Sequence, residues 1–227
     1  MPLLFVILSL LGLLLTKKKM TIDLSRLVHR FGGSQHSAII VWSIIFLPGT
    51  IVHEISHFLF AALTGARTGK VEIFPEYLEE ELDEKKNTRV TLGSVRTQKL
   101  NPLQGFLVGI APFISGMALL IWLASLLQTS YYAGNTWILV LEGYLFFTIA
   151  NSFFPSWTDI KQTLPFVVIS LVVALLAWYF GFQIFLDSSS YVWTVLDALW
   201  KAVLISIFFN LAIVGILFFL RKLFEKK

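Results

Sequence analysis

The amino-acid sequence predicts an all-α polytopic membrane protein with about six transmembrane helices and a small β-hairpin. Hydrophobic residues fill 56% of the 227 positions and charged residues only 14%, whereas a soluble domain carries about 25% charged residues. Apolar runs recur along the chain, and roughly 20 apolar residues are enough for a helix to cross a bilayer. One long polar stretch, residues 67–98, interrupts them with short β-type patterns. We therefore expect the lipid bilayer to surround most of the chain.

The apolar runs predict six spans within one membrane-embedded domain, residues 1–227. The first run is short and is followed by Lys17, Lys18 and Lys19. A signal peptide carries its positive charge before the apolar run, so we expect a short first span that is retained. The spans are predicted at about residues 2–16, 37–64, 103–127, 136–154, 164–186 and 192–220.

The second span and the polar stretch after it carry further local signals. Pro48-Gly49 lies inside the second span and predicts a kink there. In the polar loop 67–98, residues 71–74 and 90–95 are rich in strand-forming side chains and predict the two strands of a hairpin. The acidic run Glu79 to Glu84 lies between them and is expected to be a solvated tip.

Cysteine and charge content exclude several classes of protein. The chain has no cysteine, so it has no disulfide and no thiolate metal site. The net charge of +4 is small, and we expect no nucleic-acid partner.

The Lys and Arg residues indicate the orientation in the membrane. If the 67–99 loop is cytoplasmic, twelve of the eighteen Lys and Arg residues lie on the cytoplasmic side, as the positive-inside rule favours, although Lys17 to Lys19 then lie outside. We therefore expect a plasma-membrane protein with a cytoplasmic C-terminus.

The motif His53-Glu54-Ile55-Ser56-His57 lies in the apolar stretch from Ala38 to Leu63. Histidines four residues apart share one face of a helix, so both imidazoles can bind one metal ion. Glu54 lies beside them and can accept a proton from an attacking water. Ionisable groups at membrane depth are costly and usually functional. The alternative is a pair of histidines that form interhelical hydrogen bonds, with Glu54 as a buried partner.

A catalytic zinc site needs a third protein ligand and one open position. Asp159 is the candidate. It follows Pro155, which ends the fourth span and leaves irregular backbone. Irregular backbone at membrane depth is tolerated only where it is buried in protein or lines a polar cavity. Asp159 is also compatible with a plain helix cap or an interfacial acid. His29 and His36 lie in polar sequence and are expected to be solvated or interfacial rather than metal ligands. Asn210, in the sixth span, is expected to make a helix-packing hydrogen bond.

Together these motifs resemble the site-2 protease family of intramembrane zinc metalloproteases. The resemblance rests on the HExxH motif in a membrane helix, followed about a hundred residues later by Asn151, Pro155 and Asp159. It covers the second, third and fourth spans and the loop after the second. Residues 111–115, Ala-Pro-Phe-Ile-Ser, also resemble the family's Gly-Pro-x-x-Asn segment, or else form a proline kink with small packing residues.

The resemblance implies a protease-like domain that binds one catalytic Zn²⁺ ion. It implies His53, His57 and Asp159 as the zinc ligands and Glu54 as the general base. It also implies that the polar side chain of Asn151 lies near the substrate backbone.

The loop after the HExxH helix forms a sheet in this family, and the sheet's edge can pair with an unwound substrate. An edge strand recognises a peptide through main-chain hydrogen bonds and needs little side-chain specificity. The resemblance therefore assigns Val71, Glu72, Ile73 and Phe74 to substrate binding.

The expected function is that of a zinc-dependent intramembrane endopeptidase, with a cytoplasmic catalytic side, that cuts in or near transmembrane segments of other membrane proteins. Thr158 and Ile160 stand where the family has Leu and Gly. This departure keeps open a catalytically inactive relative that binds membrane proteins without cutting them. A zinc transporter or sensor is a further alternative, which would need more metal ligands along a pathway.

Overall fold

The computed structural model describes residues 2–66, 68–72, 76–77, 90–91, 94–97, 100–182 and 191–225. Six helices and four short strands make up most of these residues. The helices are α1 (Pro2–Arg30), α2 (Gln35–Leu63), α3 (Pro102–Tyr132), α4 (Thr136–Ser152), α5 (Trp157–Tyr179) and α6 (Tyr191–Glu225). The strands are β1 (Thr68–Glu72), β2 (Glu76–Tyr77), β3 (Val90–Thr91) and β4 (Ser94–Thr97).

The prediction of about six transmembrane helices is wrong. Among the described residues, four helices are long and apolar enough to cross a membrane, which is compatible with a membrane protein. The predicted first span is part of the 29-residue α1, which continues through Lys17–Lys19. The apolar half of α1 alone is too short to cross a bilayer. The predicted fourth span, α4, has 17 residues, or about 25 Å of helix against a hydrocarbon core of about 30 Å. The four candidates are Ser37–Leu63, Pro102–Tyr132, Trp157–Tyr179 and Tyr191–Phe224.

The predicted single hairpin between residues 71–74 and 90–95 also needs correction. The strands form two separate two-stranded antiparallel sheets, β1 with β4 and β2 with β3. Val71 is the partner of Val95 in the first sheet, and the register shifts between Thr68 and Val71. Apolar alternation locates strands, but it specifies register only weakly when few residues pair. The acidic run Glu79 to Glu84 lies outside the described residues.

The helices belong to two compact units, each built from separate segments of the chain. Unit 1 comprises Met1–Gly49, Met117–Ser152 and Ser189–Lys227. Unit 2 comprises Thr50–Gly116 and Phe153–Ser188. The helices α2 and α3 therefore contribute their two halves to different units, and α5 belongs to unit 2.

In unit 1, α1 and α6 pack side by side and run parallel. The rings of Phe5 and Trp200 are 5.5 Å apart near the start of both helices. Further along, the buried carboxylate of Asp23 lies 2.8 Å from the Lys19 ammonium and 3.7 Å from the guanidinium of Arg221 on α6. The buried carboxylate of Asp23 therefore pairs with cations on both helices.

In unit 2, the first half of α3 packs closely against α5 because two glycines, four residues apart, face that helix. A Cβ atom on Gly105 would lie 2.9 Å from the carbonyl oxygen of Gln162. A Cβ atom on Gly109 would lie 2.3 Å from Thr163 Oγ1 and 2.8 Å from the carbonyl oxygen of Asp159. Small residues at this spacing let two helix backbones touch. This contact places α3 directly beside the backbone of Asp159.

Candidate metal centre

The two histidines of the HExxH motif lie one turn apart on α2, as their spacing predicts. Their ring centroids are 4.9 Å apart, with the ring planes inclined by 79°. The two Nε2 atoms approach to 3.2 Å. His57 is buried, and 12% of the His53 side chain is exposed. Both imidazoles therefore direct the same nitrogen to one small region of unit 2.

A backbone carbonyl fixes the orientation of His57. Its Nδ1 lies 2.8 Å from the carbonyl oxygen of Val108, on α3. A carbonyl oxygen only accepts, so Nδ1 carries the hydrogen and donates it. In a neutral imidazole the other nitrogen, Nε2, then keeps its lone pair. His57 is thus prepared to offer Nε2 to a cation.

Asp159 enters the cluster from the first turn of α5. Ser156 caps this helix: the Asp159 N–H donates to Ser156 Oγ at 3.2 Å, and the Ser156 N–H donates to Asp159 Oδ2 at 2.6 Å. Such a reciprocal capping box satisfies two helix-end donors and holds the carboxylate in place. Asp159 Oδ1 lies 3.2 Å from His57 Nε2, and Oδ2 lies 3.6 Å from His53 Nε2. Asp159 is therefore a helix-capping residue that also faces both histidines.

The three side chains could hold a metal ion, as the sequence predicts. One ligand atom from each of His53, His57 and Asp159 lies within 4.8 Å of the others. With bonds of about 2.0–2.2 Å, the ligand atoms of a tetrahedral zinc site lie about 3.3–3.6 Å apart. His57 Nε2 lies 3.2 Å from both His53 Nε2 and Asp159 Oδ1, which is close to this spacing. The contact of His53 Nε2 with Asp159, at 3.6 Å, is to the other oxygen, Oδ2. A proton on one of these nitrogens joins the groups in the absence of metal, and a bound cation would take its place.

Glu54 adds a second carboxylate to the site. It is buried and close enough to His53, His57 and Asp159 to interact electrostatically with all three. When both carboxyl groups are ionised, the cluster holds two negative charges that a divalent cation would balance. A buried charge is stable only when it is paired or binds a metal. The donor set, two nitrogens and an oxygen with no sulfur, suits zinc.

The other predicted site residues are Asn151 and residues 71–74. Asn151 belongs to unit 1 and is 1% exposed. Its amide donates to the Phe147 carbonyl and to Asn210 Oδ1, each at 2.9 Å, and accepts from Asn210. The helix-packing hydrogen bond predicted for Asn210 is thus confirmed. The role of Asn151 near a substrate stays a prediction.

Of the four residues assigned to substrate binding, Val71 and Glu72 lie in β1, whereas Ile73 and Phe74 lie outside the described residues. His29 is exposed, as expected, and its Nδ1 lies 2.9 Å from the Gly33 carbonyl oxygen. The side chain of His36 is outside the described part of the chain.

Sequence reasoning missed three contributors to the site: the Val108 carbonyl, Ser156 and Gly109. The pattern Ser156-x-x-Asp159 matches a capping box and could have been recognised from sequence. The Val108 carbonyl has no signal of its own, because every residue carries one. Pro112, four residues later, is the one sequence feature that points to it.

No protein-family model, curated protein or solved structure matches this chain.

Proposed function

We propose that this chain is a zinc-dependent intramembrane endopeptidase, similar to the site-2 protease family. It would hydrolyse peptide bonds in or near transmembrane segments of other membrane proteins. One observation carries the proposal: His53, His57 and Asp159 converge beside the buried Glu54, on helices apolar enough to cross a membrane. Ionisable groups gathered at such depth are usually functional.

The proposed ligands are Nε2 of His53, Nε2 of His57 and one oxygen of Asp159. Three protein ligands leave a fourth position open, as catalytic zinc sites require. When bound, zinc supplies a Lewis acid that polarises the scissile carbonyl and makes water more acidic. The same two-histidine, one-carboxylate set also suits Fe(II), so the metal must be identified by analysis. A neighbouring glutamate is the partner that hydrolysis needs, which favours zinc.

Glu54 is the proposed general base and acid. Its carboxylate accepts a proton from the water that attacks the peptide carbonyl, and it returns a proton to the leaving amine. Positioned proton transfer of this kind contributes about 10²–10⁴-fold to a rate. Burial of Glu54 beside the two histidines supports this role, because it keeps the carboxylate next to the reacting bond and away from bulk water.

The proposed substrate binds in an extended conformation. A helical backbone is fully hydrogen-bonded and shields its carbonyls, so a transmembrane substrate must unwind locally before it is cut. The strand β1 pairs on one side with β4 in a two-stranded sheet. Within the described residues its other side is an edge, and an extended peptide can pair there through main-chain hydrogen bonds. Val71 and Glu72 belong to this strand.

We also propose that the protein lies in the plasma membrane with its catalytic side and C-terminus facing the cytoplasm. The distribution of Lys and Arg residues supports this orientation, because it gathers most of them beside the 67–99 loop and the C-terminus.

The test combines metal analysis with cleavage of a membrane-embedded peptide substrate. Purified wild-type protein is expected to contain one zinc ion per chain and to cut the substrate. Glu54→Gln is expected to keep the zinc and lose at least 10²-fold in rate. Asp159→Ala is expected to lose both. Glu142→Gln, a carboxylate change in unit 1, is the matched control and is expected to keep both.

Each contrary result has a definite meaning. Wild-type protein without bound metal, or Glu54→Gln at wild-type rate, overturns the proposal. Bound zinc without turnover on an unwound substrate, unchanged by Glu54→Gln, identifies an inactive relative, which the residues at Thr158 and Ile160 favour. Zinc flux into proteoliposomes would identify a transporter.

A further inference from the structure

The hydrogen bond that orients His57 ends on an unusual acceptor. Val108 lies in the interior of α3, which runs from Pro102 to Tyr132. Inside an α-helix each carbonyl accepts a hydrogen bond from the N–H four residues later. The residue four positions after Val108 is Pro112, which has no N–H. The Val108 carbonyl therefore loses its helical partner and accepts from His57 Nδ1 at 2.8 Å.

We propose that Pro112 is a positioning residue for the metal centre, because it frees the Val108 carbonyl to orient His57. The inference rests on the metal site of the proposed function. Pro112 touches neither metal nor substrate in this view. It acts through the backbone: the freed carbonyl holds the hydrogen on Nδ1 and directs the Nε2 lone pair to the cluster. Hydrogen bonds from the second nitrogen of a metal-binding histidine fix its tautomer and orientation in this way.

The surroundings of Val108 suit such a role. Val108 is buried, and its hydrogen bond with His57 is buried as well. Water is therefore a poor substitute for either partner, and a freed carbonyl at this depth must find a protein donor. The neighbouring Gly109 brings the same turn of α3 against the backbone of Asp159. One turn of α3 thus contacts both helices that carry the proposed ligands.

A second proline in unit 2 shows what distinguishes Pro112. Pro165 also lies inside a helix, α5, and Lys161 is the residue four positions before it. Lys161 and Pro165 are both exposed, whereas the carbonyl freed by Pro112 is engaged by a proposed metal ligand. Pro165→Ala is therefore a matched control, since it restores an N–H to a helix of the same unit away from the His57 contact.

The experiment measures zinc affinity by competition with a chelator, without substrate. In Pro112→Ala the new N–H competes with His57 for the Val108 carbonyl. We expect a zinc dissociation constant about 10–100-fold weaker than in wild-type protein, the usual cost of losing such a partner. The absorption spectrum of the Co²⁺-loaded protein is expected to change as well, because it reports on the ligands' arrangement. Pro165→Ala is expected to match wild-type protein in both measurements.

A rescue variant separates the hydrogen bond from the shape of the helix. The α-hydroxy acid analogue of alanine at position 112 has the size of Ala but an ester oxygen in place of the N–H. We expect it to restore the zinc affinity and the Co²⁺ spectrum lost in Pro112→Ala. Equal zinc affinity in wild-type protein and Pro112→Ala would overturn the inference, and so would failure of the ester to restore binding.

These outcomes are distinct from failure of the proposed function. If wild-type protein binds zinc but cuts no substrate, the protease proposal fails and the affinity comparison still decides the role of Pro112. If wild-type protein binds no metal, the positioning role is overturned together with the metal site.

Discussion

Each unit of the molecule holds a polar cluster among apolar helices, an amide cluster in unit 1 and a metal cluster in unit 2, and these two clusters are completed in different ways. The amide cluster of unit 1 consists of Asn151, Asn210 and Thr16. All four amide hydrogens are donated: Asn151 donates to Phe147 O and Asn210 Oδ1, and Asn210 donates to Asn151 Oδ1 at 2.9 Å and Thr16 Oγ1 at 3.2 Å. Every donor meets an acceptor, so the amide cluster is closed.

The metal cluster of unit 2 consists of His53, His57 and Asp159. The contacts between its members are short: His57 Nε2 lies 3.2 Å from both His53 Nε2 and Asp159 Oδ1. One imidazole hydrogen is used outside the cluster, where His57 Nδ1 donates to the Val108 carbonyl. A cation can therefore complete the metal cluster, and in this sense the cluster is open.

The difference separates a cluster that links helices from one that could hold a metal ion. A polar group buried between membrane helices is stable when neighbouring helices satisfy it, and then it links them. Two imidazoles and a carboxylate can instead give up their protons and bind a divalent cation. The decisive property is the residue type, because amides complete one another's hydrogen bonds and cannot exchange a proton for a metal ion.

The largest expected effect is the gain in stability from zinc, which tests whether metal binding involves only the open cluster. At zinc concentrations a hundredfold above the dissociation constant, wild-type protein should gain about 2.7 kcal/mol of stability. His57→Ala should lose this gain because it removes a ligand. Asn210→Ala should keep it, although its stability without metal should fall as Asn151 loses its partner. Thermal unfolding in detergent, with zinc and with a chelator, measures both. A normal zinc-dependent gain in His57→Ala would contradict the comparison.

Sequence alone predicted the members of the metal cluster because each is marked by residue type and spacing. The HExxH motif places two candidate metal ligands one helical turn apart, and Asp159 follows the helix-ending Pro155. The role of the Val108 carbonyl could not be predicted, because every residue has the same main-chain atoms and only the fold decides which carbonyl faces His57. Asn151 was assigned to substrate binding from the resemblance, because the sequence does not show whether the side-chain amide of an asparagine already has hydrogen-bond partners.

The accuracy of the predicted helix ends differed from one helix to another. Long apolar runs located α2, α3 and α6 to within a few residues of their ends, apart from the last turns of α3 and α6, which both run beyond the predicted ends. Hydropathy failed where polar residues continue a helix: α1 passes through Lys17–Lys19, and α5 begins at Trp157 rather than at about residue 164. The extension of α1 has a tertiary partner, since Asp23 pairs with Arg221 of α6, whereas the start of α5 is set by its own N-cap residue, Ser156.

A smaller effect tests whether the open cluster needs neighbours to hold its acceptors in place. Two helices of unit 2 begin with a capping box: Ser156 with Asp159, and Asn101 with Gln104. Ser156→Ala and Asn101→Ala should each lower stability by about 1 kcal/mol, the typical value of an N-cap. Only Ser156→Ala should also weaken zinc binding, by about tenfold, because only that box holds a ligand. Chelator competition measures the affinities, and equal zinc affinity in the two variants would contradict this dependence.

The smallest expected effect lies at the edge of the closed cluster. Thr16→Val removes the hydroxyl that accepts from Asn210 but nearly preserves the shape of the side chain. Interhelical hydrogen bonds in membranes average about 0.6 kcal/mol, and we expect a loss of that size in thermal unfolding. Thr21→Val is the matched control on the same helix, because its hydroxyl donates only to the Lys17 carbonyl, at 2.9 Å. Subtracting the two losses isolates the bond to Asn210. If Thr16→Val changed zinc affinity as well, the amide cluster would take part in metal binding, and the division into a closed structural cluster and an open functional one would fail.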